Sequence, residues 1–285
     1  MSISQGRRAV LERIEEYERL GYFDRDVEDD PPTVPLDYER VDFAYEKLSS
    51  RIGAWVANKV GKGYFERCIR RGLYVMRPVE GAENFLSVKD RGTLIVCNHF
   101  NAFDNYAVNR VLAPMMPGRD LYKIIREGNY TSFGGFFGYL FRHCNTLPLC
   151  GSVHGMKRMM DGLSKLFRRG EKVLIYPEQG MWYNYRKPRP LKVGAFRFAA
   201  KEMAPVLPIF ITLADTDRLD PDGLPVQAYT VHIHPALEPD PERSVRENAR
   251  WMCEQTYELW KKTYERVYGI PLTYTTEGEV LACSM

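Results

Sequence analysis

The stretch Asn98-His99-Phe100-Asn101-Ala102-Phe103-Asp104 holds the residues best suited to do chemistry. On a straight helix a histidine and an aspartate at this spacing would not share a face. Here the apolar run Thr93 to Cys97 precedes them and reads as a buried strand, and Asn105 to Leu112 reads as a helix. His99 is therefore expected at a strand end and Asp104 at a helix start. Across such a turn the carboxylate can accept a hydrogen bond from one imidazole nitrogen. The other nitrogen is left as a base for a substrate hydroxyl. That is a base and its orienting acid, as in a serine-hydrolase triad, with the nucleophile brought by the substrate. The same string also arises by chance, so the pair needs support from the rest of the chain.

A second stretch offers some. Val173-Leu174-Ile175-Tyr176 reads as a strand that runs directly into Pro177-Glu178. Pro177 must stop the ladder, which places Glu178 at a strand end, as His99 is. Strand ends of an α/β sheet are where sites are built. Arg186, Lys187, Arg189 and Lys192 follow closely, stiffened by Pro188 and Pro190. This is a positive patch of phosphate size, or else a solvated basic loop. Gly194 stands just beyond it, and Lys123 and Arg126 lie on the strand expected over Asp120 to Arg126. His232 and His234 fall on one strand face, but no third ligand has metal spacing, so no metal site is expected.

These groups must be held by a framework, and the composition allows an ordinary one. The chain has 285 residues, 45% apolar and 27% charged, with a net charge of +3. So weak a charge does not argue for nucleic acid. Cysteines 68, 97, 144, 150, 253 and 283 form no CxxC pair. They read as buried or incidental thiols in a reducing compartment. The polar start, Met1 to Arg8, lacks the apolar core of a signal peptide. No run of about eighteen apolar residues exists to cross a membrane.

Val10, Leu11, Ile14 and Tyr17 share a helical face ended by Gly21, and Asp24 to Pro35 reads as an acidic, proline-rich linker. Val41, Tyr45, Leu48, Ile52, Trp55, Val56 and Val60 have helical spacing, with basic residues on their flanks. Such a stripe suits either a membrane interface or the core. Leu73 to Met76 reads as a strand. Phe133 to Arg142, with three glycines among its aromatics, reads as poor helix and as a ligand wall, a membrane-facing surface or a turn-rich core segment. Asn145 to Leu149 reads as a strand, and Met156 to Phe167 as the inner face of a helix that stops at Gly170. A helix over Ala195 to Lys201 leads to a strand from Pro205 to Thr212. Asp215 to Pro225 reads as a loop and Tyr229 to Ile233 as a strand. Ser244 and Glu247 form a capping box for a last helix with Val245, Ala249, Met252, Leu259 and Val267 inward, ended by Gly269 and Pro271.

In order, Asn98-His99 with Asp104, Phe137-Gly138 with Pro148, Tyr176-Pro177-Glu178, Lys192-Val193-Gly194-Ala195-Phe196 and Pro205 to Ile209 resemble the blocks of the glycerolipid acyltransferases. That group includes 1-acylglycerol-3-phosphate acyltransferase. The resemblance spans roughly residues 75 to 235. It implies an α/β fold, here expected as a single domain with a central, mostly parallel sheet flanked by helices, and the two N-terminal stripes are expected to precede it as amphipathic helices. Residues 1–72 would then be a membrane-associating segment and 73–285 the acyltransferase domain. It also implies His99 and Asp104 as the catalytic pair and an acyl-CoA or acyl-carrier-protein donor. The acceptor would be a lysophospholipid or related lipid, with no cofactor besides the co-substrate. The protein would sit peripherally on the inner, anionic face of a membrane, on the cytoplasmic side.

Two departures concern the acceptor. Cys150-Gly151 stand where the family's second block has Asp-Arg, and Pro177-Glu178-Gln179-Gly180-Met181 replaces Pro-Glu-Gly-Thr-Arg. Two phosphate-binding arginines are thus missing. Either Arg186, Lys187, Arg189 or Lys192 replaces them, or the acceptor is not lysophosphatidic acid. Glu178, expected to orient the acceptor or brace the basic loop, and Gly194, Lys123 and Arg126 are the other expected substrate-binding residues. A thioesterase or lipid hydrolase on the same scaffold is the alternative in the same chemistry. A catalytically inactive lipid-binding adaptor is the alternative outside it, against which His99, Asp104 and Glu178 together speak.

Overall fold

The computed structural model describes residues 4–284. Helix α1 (Gln5–Leu20) starts at Ser4, whose hydroxyl accepts from the Arg7 N–H, and ends at Gly21 in the left-handed region (φ 72°). Helix α2 (Leu48–Arg70) follows the linker. The chain then runs β1 (Val75–Met76), β2 (Thr93–Cys97), α3 (Asp104–Leu112), β3 (Leu121–Ile125), α4 (Glu127–Thr131), α5 (Gly135–His143), β4 (Thr146–Pro148), α6 (Val153–Arg168) and β5 (Lys172–Ile175). It continues with β6 (Leu191–Lys192), α7 (Val193–Lys201), β7 (Val206–Leu219), β8 (Pro225–Ile233), α8 (Val245–Tyr268) and β9 (Cys283–Ser284).

Seven strands form one sheet in the order β1-β8-β7-β2-β5-β3-β4, and β6 pairs with β9 apart from it. Every neighbour in the large sheet is parallel except the β7–β8 hairpin. The apolar runs of the central strands follow from this, because helices cover both faces. In β2, Leu94 and Val96 face a core with Met159 and Leu163 of α6, Phe196 of α7 and Trp260 of α8. Ile95 and Cys97 face the opposite core with Phe65 of α2 and Tyr106, Ala107 and Val108 of α3. The first helix belongs to a third cluster, in which Val10 and Ile14 meet Phe23, Val27 and Trp182. The expected α/β fold is therefore present. Among the described residues no helix is long and apolar enough to cross a membrane.

Several local expectations are corrected. The second helix begins at Leu48, so Val41 and Tyr45 precede it. It packs through Ala54, Ala57, Gly61, Phe65 and Cys68, while Leu48, Ile52, Trp55, Val56 and Val60 are exposed. Small residues allow the close approach: a Cβ on Gly61 would stand 3.6 Å from Leu140 of α5. Phe133 to Arg142 is largely helical, since Gly138 tolerates a helix start in which a Cβ would meet the Phe133 carbonyl. Asp215 to Leu219 continues β7 because Asp215 pairs with Gln227 across a bulged hairpin. In α8 the inward set is Ala249, Met252, Cys253, Tyr257, Trp260 and Tyr264, while Val245 and Val267 are exposed. Finally, Cys253 and Cys283 form a disulfide that ties the C-terminal segment to α8, and the other four cysteines are free. Thirty residues separate that pair, so no local spacing announces it.

Candidate active site

Parallel pairing of β2 with β5, register Val96 to Ile175, brings two strand ends side by side. His99 leaves one and Glu178 the other, at the carboxyl edge where open α/β sheets form their sites. Asn98 fixes the first exit. Its amide donates to the Ile211 carbonyl and accepts from the Ile211 N–H, at 3.0 and 2.8 Å.

The turn then folds as its residue types require. Asp104 opens α3 and its carboxylate reaches back, with Oδ2 2.6 Å from Nδ1 of His99. The same oxygen accepts from the N–H groups of Phe100 and Asn101, at 3.1 and 3.4 Å. Oδ1 accepts from the Tyr176 hydroxyl at 2.6 Å. The Asp104 side chain is fully buried, whereas that of His99 is 21% exposed. Burial, with Asp104 beside it, raises the Tyr176 phenol well above its ordinary range. The phenol is therefore the donor in that bond. Nε2 of His99 has no hydrogen-bond partner among the described residues, so it is the nitrogen open to a substrate.

Glu178 has a different task. Oε2 accepts from the His99 N–H and from Arg189, both at 3.0 Å, and Oε1 accepts from the Arg189 N–H at 2.9 Å. Arg189 also donates to the carbonyls of Phe23 and Gly180 and lies against the Trp182 ring. The main-chain N–H of Trp182 in turn donates to the His99 carbonyl at 3.2 Å, and its indole N–H to the Arg25 carbonyl at 2.9 Å. Both main-chain groups of His99 are thus held by the segment that follows β5.

Of the expected binding residues, Arg189 is buried and committed to Glu178, so it is not a free cation. Arg186 pairs with Asp215, Lys187 with Glu18 and Lys192 with Asp24. Arg126 pairs with Asp26. Lys123 is buried in β3, donates to the Cys144 carbonyl at 2.8 Å, and has its pKa lowered by burial. Gly194 lies in the first turn of α7, where an added Cβ would meet nothing within 4 Å. His232 is used internally, between Thr212 and Glu80, and no group of three potential metal ligands occurs among the described residues. Nothing in the spacing of Tyr176 and Trp182 points to their partners, so the sequence alone does not mark them as site residues. The Tyr176 hydroxyl finds an aspartate 72 positions away.

A helix-flanked, mostly parallel sheet thus carries a histidine–aspartate pair at a strand end. Residues 77–212 match the family described as Acyltransferase. In fold the chain is similar to the 1-acyl-sn-glycerophosphate (LPA) acyltransferase PlsC from Thermotoga maritima, with a TM-score of 0.51 and 18% identity. That likeness covers 83% of this chain and 95% of the other. No curated protein sequence matches the chain significantly.

Proposed function

We propose that the protein is an O-acyltransferase that moves a fatty acyl group from acyl-CoA or acyl-carrier protein to the hydroxyl of a lysophospholipid or related lipid alcohol. The observation that carries this reading is the 2.6 Å contact between Asp104 and Nδ1 of His99, which leaves Nε2 open. As the acceptor oxygen attacks the thioester carbonyl, Nε2 takes its proton. Asp104 stabilises the imidazolium and keeps the ring in the accepting tautomer. When the tetrahedral intermediate collapses, the C–S bond breaks and the leaving sulfur receives that proton. Glu178 braces the turn through the His99 N–H, and its pairing with Arg189 leaves it no part as a base.

The headgroup reading turns on magnitudes. Surface pairs such as Arg186 with Asp215 are worth about 0–1 kcal/mol, against about 1.5–3 kcal/mol for a charge-assisted contact to phosphate. A lipid phosphate can therefore displace Asp215 from Arg186. The buried Arg189 is not so available, since breaking a buried pair costs about 3–5 kcal/mol.

The surfaces of α2 and α5 support recruitment to an anionic membrane surface. Leu48, Ile52, Trp55, Val56, Val60 and Tyr64 are exposed along α2, and the Tyr64 ring touches exposed Phe136 and Phe137 of α5 at 5.1 and 6.0 Å. Lys47, Arg51, Lys59 and Lys62 are exposed on the same helix or at its start. An apolar band with cationic flanks suits a lipid interface.

The test is purified protein with labelled acyl-CoA and a panel of lyso-lipids in vesicles, read by mass spectrometry. Labelled acyl-lipid, lost in His99→Ala, is the expected result. Labelled free acid alone would make the protein a thioesterase, and no turnover with any acceptor or donor would make it an adaptor.

A further inference from the structure

Tyr176 has no part in the proton transfers just described, yet it touches both members of the pair. It follows β5 directly, and its hydroxyl donates to Oδ1 of Asp104 at 2.6 Å. Its ring lies flat on the His99 imidazole, with centroids 4.0 Å apart and planes 14° from parallel. The two oxygens of Asp104 are not equivalent. Oδ2 meets Nδ1 of His99 and two backbone N–H groups, whereas Oδ1 meets the Tyr176 hydroxyl and no other group among the described residues. Asp104 is fully buried, so without that hydroxyl one oxygen of a buried charge would lack any protein partner.

We propose that Tyr176 is the positioning residue of the pair, its hydroxyl setting the rotation of the Asp104 carboxylate and its ring setting the plane of His99. This rests on the reading of His99 as the base. A carboxylate turns about one torsion, and two anchors on opposite oxygens leave it one orientation. The imidazole has two torsions. The bond at Nδ1 constrains the ring's reach, and the stacked phenol constrains its tilt. Together they aim Nε2 in one direction before any substrate arrives, which is the kind of preorganisation that a 1 Å error would undo.

Two variants separate the contributions. Tyr176→Phe keeps the ring and removes the hydroxyl, and Tyr176→Leu removes both. Tyr176→Phe should lower kcat roughly 10–100-fold, part of the 10²–10⁴ that a placed base supplies, with both KM values within about two-fold. Tyr176→Leu should be slower again. The second readout is the proton NMR signal of the His99 Nδ1–H, far downfield while it is bound to the carboxylate. It should move upfield in Tyr176→Phe, with circular dichroism and Tm close to wild type. A Tyr176→Phe protein with wild-type kcat and an unmoved resonance overturns the proposal, as does a kcat loss with that resonance unmoved. Equal rates for the Phe and Leu variants remove the ring from it. The resonance is read without turnover, so it decides the role of Tyr176 even if His99→Ala were to show that the acyl-transfer reading is wrong.

Discussion

At the residue scale, His99 and Asp104 share one task, and their mutants should behave accordingly. His99→Ala removes the base, so kcat should fall by at least about 10²–10⁴-fold with donor binding retained. Asp104→Asn keeps the volume but cannot hold the tautomer or stabilise the charged ring. The matching change in a serine-protease triad costs about 10⁴-fold. Because the two act as one unit, the double mutant should be barely slower than His99→Ala. Losses that multiply in the double mutant, measured by single-turnover kinetics, would mean independent roles. Arg186→Ala makes a different prediction. If it meets a headgroup phosphate, the acceptor KM should rise roughly ten-fold while the donor KM moves little. An equal rise in both would assign Arg186 to the CoA phosphates or to folding instead.

At the scale of elements, α2 turns Ala54, Ala57 and Gly61 inward with Phe65, and leaves Leu48, Ile52, Trp55, Val56 and Val60 in solvent, which inverts most of the usual arrangement of a surface helix. Burying an exposed Ile or Trp in a lipid interface gains about 25 cal/mol for each Å² removed from water. Ile52→Ser with Trp55→Ser should therefore cut flotation with anionic vesicles at least ten-fold, while turnover of a short-chain, water-soluble acceptor is unchanged. The flanking cations make the same binding salt-sensitive, so raising ionic strength should weaken it. Protein that stays on vesicles through high-salt and carbonate washing would contradict a peripheral association. Loss of soluble-substrate turnover in the double variant would mean that the stripe serves the fold.

For the whole molecule, the buried phenols and imidazoles set how stability follows pH. Tyr45, Tyr74, Tyr185, Tyr229 and Tyr274 are all raised from their ordinary value, first of all by burial. Their unfolded forms lose protons near pH ~10 while the folded forms keep them. The contribution is complete below that value and is lost as pH climbs through the folded pKa values, so the denaturant midpoint should fall steeply above pH about 10. His234 works at the acid end. Burial brings it down to about 4. The unfolded state therefore binds the extra proton between that value and its ordinary pKa of about 6.5, so stability should drop as pH falls through this window. His234→Gln should flatten the acid slope of a urea titration, and an unchanged slope would assign it to other groups.

Much of this protein is legible along the chain. Leu94 to Cys97 and Val173 to Ile175 are apolar throughout, as suits strands covered on both faces. The turn from His99 to Asp104 is local, since the carboxylate reaches back five residues to the imidazole, and short-range geometry is set by backbone connectivity. The helix caps at Gly21, at Gly269 and at Ser244 with Glu247 are local for the same reason. What the tertiary structure decides is which long-range partners these groups meet. Four closely spaced cations look alike in sequence, yet Arg189 is buried on Glu178 and the other three pair with carboxylates 29, 169 and 168 positions away. The helical stripe on α2 was equally suited to a core and to a membrane, and only the packing of Ala54, Ala57 and Gly61 turned it outward. Tyr176 reaches Asp104, and Cys253 reaches Cys283, by the same kind of contact. Periodicity and spacing encode an element and its immediate turn. Partners that meet only when separate elements pack leave no signature in the residues between them.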